Sequence, residues 1–489
     1  HTKVVDGRGR SLLPGFIDSH FHLMHGAMGR GDIQLYEAST LAELETAVHD
    51  YGQRNPNLPW LRGQGLRYSI PSIEDPLTRH HLDEIEAQRP LLLIAYDVHT
   101  AWANTLALKK AGLLHGGAPL AGGAEIVVGD DGLATGELFE MAAFEQILAH
   151  IPEPEDAQRR KLVRDGLAYL ASLGVTSVHN MDGDAEQTAF YAALEDLGEL
   201  TLRVYMPYDV LPETPLAALE EEALPMREQF QSEMVRAGAV KFFMDGVYES
   251  YTAVTLNGYP DQPDNYGEPI FHTEHFARMA TEADRLDLQI FVHACGDGAV
   301  RRVLDGYETV QRTNGVRDSR HRVEHIEMVH LDDTLRFAEL GVVASMQPLH
   351  SPLQENDPDV WPKRVREADW DRAFAWRTMR DAGATIAFGS DWPVAPPDPL
   401  WGIAGAVNRQ AWKPGHNSHN QTLAEAIAGY TRDAAWAEFQ EDKKGQIKVG
   451  MWADLVLLTD DIFAVPADKL LDVRVAMTLC NGRITWQSF

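Results

Sequence analysis

The chain has 489 residues, 44% of them hydrophobic, with 43 Lys plus Arg against 73 Asp plus Glu for a formal net charge of −30. That much apolar chain supports a large core and excludes disorder, while a count of two cysteines excludes a disulfide-stapled miniature. A surface this acidic repels phosphate backbones and anionic lipid, so nucleic-acid and membrane-surface partners are not expected, and no apolar run reaches the ~20 residues of a membrane helix.

Eight short apolar or β-branched runs, each bounded by Gly, Pro, Asp or Asn, are expected as buried parallel strands. They are 16–22, 91–97, 175–180, 239–245, 289–294, 321–325, 342–347 and 385–390. Amphipathic stretches at 156–172, 273–286 and 423–439 are expected as helices between them. Thr273 opens the second as an imperfect capping box, because Phe276 stands where Glu or Gln is wanted. Eight strands alternating with helices predict an α/β chain closed as a (β/α)8 TIM barrel, with any active site at the C-terminal strand ends. An open doubly wound sheet is the rival, but no Gly-rich phosphate turn follows 16–22.

Long insertions are expected at about 23–90 and 98–174. Within the second, Ala124–Val128 and Leu133–Glu137 flank Gly129-Asp130-Asp131-Gly132 as a hairpin. The tail is β-rich at 453–458 and 475–486, with Asn481-Gly482 as a turn, and Lys3–Leu13 resembles a matching fragment. The predicted organisation is a small β-sandwich domain from 1–14 plus 440–489, its N-terminal part truncated, beside a barrel over 15–439. No signal peptide is visible, which points to a cytoplasmic protein, although His1 opens directly into a strand-like segment.

Five motifs carry chemistry. In Asp18-Ser19-His20-Phe21-His22, strand alternation puts both imidazoles on one face, a spacing that can hold one metal ion. His25 follows, as a substrate contact or a loop histidine. Lys241 sits inside an apolar strand, where a charge is costly. Either its stem lies along the barrel and the ammonium reaches water or Asp245, or the neutral amine takes up CO2 as a carbamate, an oxygen ligand. His293, His325 and Asp391 each follow a β-run. Singly these are ordinary core, rim or turn residues. In strand order, His-x-His, Lys, His, His and Asp form a set able to bind two borderline divalent ions.

The chain resembles the amidohydrolase superfamily, and within it the third amidohydrolase family, which includes the formamide deformylase-like enzymes. Besides the ligand series, the resemblance rests on Leu13-Pro14-Gly15-Phe16-Ile17-Asp18-Ser19-His20, Asp97-Val98-His99-Thr100-Ala101-Trp102-Ala103-Asn104, Ala344-Ser345-Met346-Gln347-Pro348 and Gly450-Met451-Trp452-Ala453-Asp454-Leu455. It implies a barrel, a β-sandwich from both termini, and a hydrolytic centre of divalent metal, zinc at one or two per chain, with carboxylated Lys241. His20, His22 and Asp391 would hold one ion and His293 and His325 the other, with Lys241 between them. Metal lowers the pKa of bound water from ~15.7 towards ~7, and Asp391 would shuttle its proton. Two departures stand out: only 13 residues precede Pro14, where the family carries some tens, and Cys295 replaces the usual aliphatic residue.

The expected reaction is hydrolysis of a non-peptide or amide-type C–N bond in a small molecule: an N-acyl, N-formyl or cyclic amide. His99, Gln347, His350 and His179 are candidate substrate contacts, with His179 read as pocket or core. Trp102, Trp392 and Tyr68 are read as cavity lining or packing, and Glu140 as a substrate contact or a solvated helix face. Two rivals are a mononuclear zinc deaminase, against which Lys241 counts, and a non-catalytic scaffold. The charge permits a monomer or a homodimer.

Overall fold

The computed structural model describes residues 4–72, 75–120, 123–351 and 360–488. Eight parallel strands form its centre: β1 (Phe16–Phe21), β2 (Val175–Asn180), β3 (Arg203–Asp209), β4 (Val235–Phe243), β5 (Gln289–Ala294), β6 (Arg322–His325), β7 (Val343–Met346) and β8 (Thr385–Phe388). They run in sheet order β1 to β8. Just past its end, β8 returns to β1: Asp391 N–H donates to His20 O at 2.8 Å, and His22 N–H to Trp392 O at 3.1 Å. The expected (β/α)8 barrel is therefore present.

Two motif glycines permit that closure. A Cβ on Gly389 would lie 2.5 Å from the His20 backbone nitrogen, and one on Gly15 would lie 2.3 Å from Thr176 Oγ1. Both spacings are far inside van der Waals contact, so a side chain at either position would push β1 off its neighbours.

The expected second strand is a correction. Leu91–Ala95 belongs to a separate six-stranded sheet with 33–34, 61–66, 100–103, 125–128 and 134–139. Leu91 and Leu93 pack into one apolar cluster and Leu92 and Ile94 into another. The strand is thus buried on both faces, the feature that makes it look like a barrel strand. The barrel's second strand is Val175–Asn180. Its third is Arg203–Asp209, which carries Arg, Pro and Asp and so lacks an apolar run. The two expected insertions are accordingly one, between β1 and β2. Its predicted hairpin is present, Glu125–Val128 pairing antiparallel with Ala134–Phe139.

The terminal segments meet in a four-stranded antiparallel sheet, 12–14, 455–458, 475–480 and 483–487. The Asn481-Gly482 turn joins its last two strands with both residues at positive φ. Of the Lys3–Leu13 fragment, Lys3 lies outside the described residues. The tail motif is explained by Asp454, whose carboxylate accepts from Arg203 Nε of β3 at 2.6 Å and from Asn481 N–H at 2.8 Å. The helix over 156–172 is as expected. The helix from 273 is capped by His272, without the expected box. The stretch 423–439 breaks into two helices at Thr431, which leaves helical geometry.

Candidate metal centre

His20 and His22 leave the end of β1 on one side of the strand, and each ring is fixed by a carboxylate. His20 Nδ1 lies 2.7 Å from Glu324 Oε2, and His22 Nδ1 lies 2.7 Å from Asp182 Oδ1. A carboxylate on Nδ1 makes that nitrogen the proton carrier and leaves Nε2 with a free lone pair, the arrangement of metal-ligating histidines. His20 Nε2 is buried and makes no hydrogen bond; Asp391 Oδ1 is 3.4 Å from it and 3.2 Å from His22 Nε2.

His325 closes the other side. Its Nδ1 meets Gln347 Oε1 at 3.0 Å, and its ring centroid is 4.5 Å from His20 and 4.4 Å from His293. His20, His325 and Asp391 each offer a ligand atom, all within 4.8 Å of one another. His293 is held the opposite way round, Nε2 3.1 Å from Gly246 O, leaving Nδ1 free. Asp391 and His325 both adopt left-handed backbone, φ 62 and 73. For non-glycine residues this costs of order 1–3 kcal/mol each and recurs at functional sites.

The electrostatics follow from burial. Desolvation, then mutual repulsion and Lys241, hold His20, His293 and His325 well below the ordinary histidine value. His22 is also desolvated, but Asp182 and Asp391 override that and raise it to about 9. Lys241 of β4 is buried with Nζ making no hydrogen bond, and lies 4.4 Å from the Phe243 ring centroid. Burial lowers its pKa against the pull of Glu324, Asp391, Asp209 and Asp182. The expected alternative partner, Asp245, is occupied elsewhere by backbone N–H groups of Val254, Cys295 and Gly296. Three buried imidazoles with unspent nitrogens, a carboxylate and an unpartnered amine form a donor set suited to divalent metal.

The structure brings His99 and His350 to this cluster. His350 stacks on His325 at 5.9 Å and 12°, its Nε2 3.7 Å from Asp391 Oδ2. His99, from the insertion, lies 5.3 Å from His293 by ring centroids and is pinned by Glu140 at 2.6 Å. Glu140 is neither solvated nor on a helix face. Its other oxygen accepts from Ser250 Oγ at 3.1 Å and Thr252 Oγ1 at 2.5 Å, tying the insertion to the loop after β4. Gln347 Oε1 orients His325, and its buried Nε2 makes no hydrogen bond among the described residues.

His179 is a correction. It is fully buried inside the barrel, where Nδ1 accepts from Arg322 at 2.8 Å and Nε2 lies 3.2 Å from Glu438 Oε1. Desolvation lowers its pKa to about 4. It is a neutral link in a buried network that continues through Arg322 and Glu324 to His20. Tyr68 is spent on Asp97 and Thr100, Trp102 packs on Tyr68, and Trp392 packs on Phe21. His25 is partly buried near His22 and Asp182, with desolvation lowering its pKa to about 4. Sequence reading missed Glu324, Asp182 and Asp18. Asp18 accepts from Ser390 N–H at 2.9 Å and so braces the turn that carries Asp391. An acid one residue before a strand-end histidine, or just past a strand end, is the signal that marks the first two.

Comparison with known proteins gives a match to the amidohydrolase family over residues 3–486. The chain is 31% identical over 474 residues to the Arabidopsis thaliana protein LONG AFTER FAR-RED 3, covering 94% of this chain and 79% of that one. It is 25% identical over 500 residues to the N-substituted formamide deformylase of Arthrobacter pascens, covering 99% and 90%. An uncharacterised metal-dependent hydrolase of Pyrococcus furiosus superposes with a TM-score of 0.69 at 26% identity, over 93% of this chain and 88% of the other.

Proposed function

The chain belongs to the amidohydrolase family and is a hydrolase acting on carbon–nitrogen bonds; on that premise we propose that it cleaves an N-acyl, N-formyl or cyclic amide of a small molecule at the strand-end cluster. The observation that carries this reading is the convergence of His20, His325 and Asp391 around a buried nitrogen with no partner. We assign zinc, one or two per chain, to His20, His22, Lys241, His293, His325 and Asp391. Bound there, it supplies a Lewis acid and brings the ionisation of water near neutral pH.

The protein's own groups do the rest. The Asp391 carboxylate, beside both β1 imidazoles, accepts the proton of the attacking water at an oxygen. It then returns that proton to the leaving nitrogen. His99, its Nδ1 proton committed to Glu140, presents its other edge to the substrate, and His350 walls the Asp391 side. Exclusion of water from this buried cluster strengthens each of these contacts. Lys241 enters as its carbamate, which exchanges an unpaired buried amine for oxygen ligands. The alkyl or aryl side of the amide would lie against the insertion.

The test is a screen of N-formyl and N-acyl amines and cyclic amides with the wild type and Asp391→Asn. The variant is expected to lose ~10²–10⁴-fold in turnover, the range of a positioned acid–base group. Wild-type rates in Asp391→Asn would remove that residue from proton transfer. Ammonia release from aminated heterocycles without amide cleavage would replace this reading with deamination.

A further inference from the structure

At the opposite end of the barrel, five residues back along β4 from Lys241 (~16 Å at ~3.3 Å per residue), is a cavity of about 160 Å³. It opens between the starts of β3, β4 and β5, with Tyr205, Arg236 and Gln289 in its wall together with Arg227, Arg317, Asp287 and Ser319. Three guanidinium groups line it against one carboxylate. Two of the three have carboxylate partners, Asp284 and Asp287 on Arg317 and Glu438 on Arg236, so the charge that the cavity leaves uncompensated is that of Arg227.

Internal ion pairing accounts for two of the three arginines. Arg317 donates to Asp284 at 2.8 Å and to Asp287 at 2.7 Å. Arg236 lies 3.2 Å from the Glu438 carboxylate and stacks 4.2 Å from the Tyr205 ring centroid. Arg227 differs. Its Nη1 donates to the carbonyls of Leu286 and Asp287 at 2.8 and 3.0 Å, and it meets no carboxylate. Those carbonyls fix the guanidinium in place but leave its charge uncompensated and its remaining N–H groups unspent. Ser319, 7% exposed, is also in the lining, and its hydroxyl has no hydrogen-bond partner among the described residues. A fixed guanidinium fork, two further cations and a spare hydroxyl around one cavity are the elements of oxyanion recognition.

We propose that this cavity is a binding site for a small multivalent oxyanion, a phosphate group or a short dicarboxylate, separate from the strand-end cluster. The anion takes the free N–H groups of Arg227 and the Ser319 hydroxyl, with Arg236 and Arg317 adding field. Asp287 repels an anion, but it is already paired with Arg317 at 2.7 Å, which offsets that repulsion. The volume is many times that needed by one water, so displaced solvent leaves room for a phosphate or a four-carbon diacid. This site is independent of the hydrolase assignment.

Calorimetric titration of the full chain with inorganic phosphate, and separately with succinate, tests it and distinguishes the two sources. Saturable binding is expected for at least one, with one anion per chain. Arg227→Gln should weaken it at least tenfold, equivalent to about 1.4 kcal/mol. Ser319→Ala, which removes a hydroxyl with no partner to lose and so leaves folding untouched, should weaken it about threefold. His20→Asn, which disrupts the other end of the barrel, should bind as the wild type does. No saturable binding of either anion would overturn the proposal. So would wild-type affinity in both Arg227→Gln and Ser319→Ala, or binding abolished by His20→Asn, which would place the anion at the strand-end cluster.

Discussion

Replacing Glu324 with Gln probes the coupling between barrel core and metal centre. The carboxylate is fully buried and accepts from His20 Nδ1 at 2.7 Å and Arg322 Nη2 at 3.1 Å, with Arg322 Nε 2.8 Å from its other oxygen. Glutamine keeps the volume but offers one acceptor oxygen, and sets an NH2 against a donor that was paired. Breaking a buried charge pair costs about 3–5 kcal/mol. Arg322 keeps Ser19 O, Ser345 Oγ and His179, so the lower end of that range applies, about 3 kcal/mol. Independently, His20 loses the group that fixes its tautomer, a change that typically weakens metal affinity ~10–100-fold. Zinc affinity by competition with a chromogenic chelator and stability by urea denaturation read the two effects separately. Lower stability with unchanged zinc affinity would show that Glu324 holds Arg322 only, and would refute its role in orienting His20.

Three further outcomes are expected. Glu140→Gln should lower kcat/KM about 10–100-fold while leaving zinc content unchanged, because it frees His99 without touching the assigned ligands; a loss of metal instead would place Glu140 in the metal site's support. Lys241→Met should abolish the 13C carbamate resonance that the wild type is expected to show after incubation with 13C-bicarbonate, with little loss of stability, since the buried Nζ has no hydrogen bond to lose; an identical spectrum in both proteins would exclude carboxylation at Lys241. Burial alone would raise the Asp284 carboxyl, but His321, Asn314 and Arg317 hold it down at about 2. A depressed carboxyl stabilises the fold above its ordinary value of 3.8, and that contribution is lost as pH falls through 2. Asp284→Asn should therefore lose about 1–2 kcal/mol at neutral pH, discounted for solvent screening, and the gap to wild type should close between pH 4 and 2. A gap independent of pH would assign the effect to packing.

Much of the site was legible because strand alternation and strand ends leave marks in sequence. His20 and His22 share a face by period two, His293 and Asp391 follow apolar runs, and His325 closes a short strand behind the acidic Glu324. Arg203–Asp209 was not legible, because its arginine serves the terminal sheet through Asp454 and its aspartate faces the strand end, so no apolar pattern survives. Leu91–Ala95 misled for the converse reason: a strand covered on both faces reads alike in a barrel or in an insertion sheet. The partners of the ligands were mostly hidden by distance along the chain. His22 and Asp182 are 160 residues apart, and His20 and Glu324 are 304 apart. The pairing depends on barrel closure, which no local pattern encodes. Nothing local to His179 marks it as pocket or core, because the groups that hold its ring, Arg322 and Glu438, lie 143 and 259 residues away along the chain.

Metal content per chain, by plasma mass spectrometry on protein purified without chelators, tests the central claim most directly. The account predicts one or two zinc ions in the wild type, and a loss of at least one in His20→Ala and in His325→Ala. No bound divalent metal in the wild type, even after incubation with zinc and bicarbonate, would contradict it.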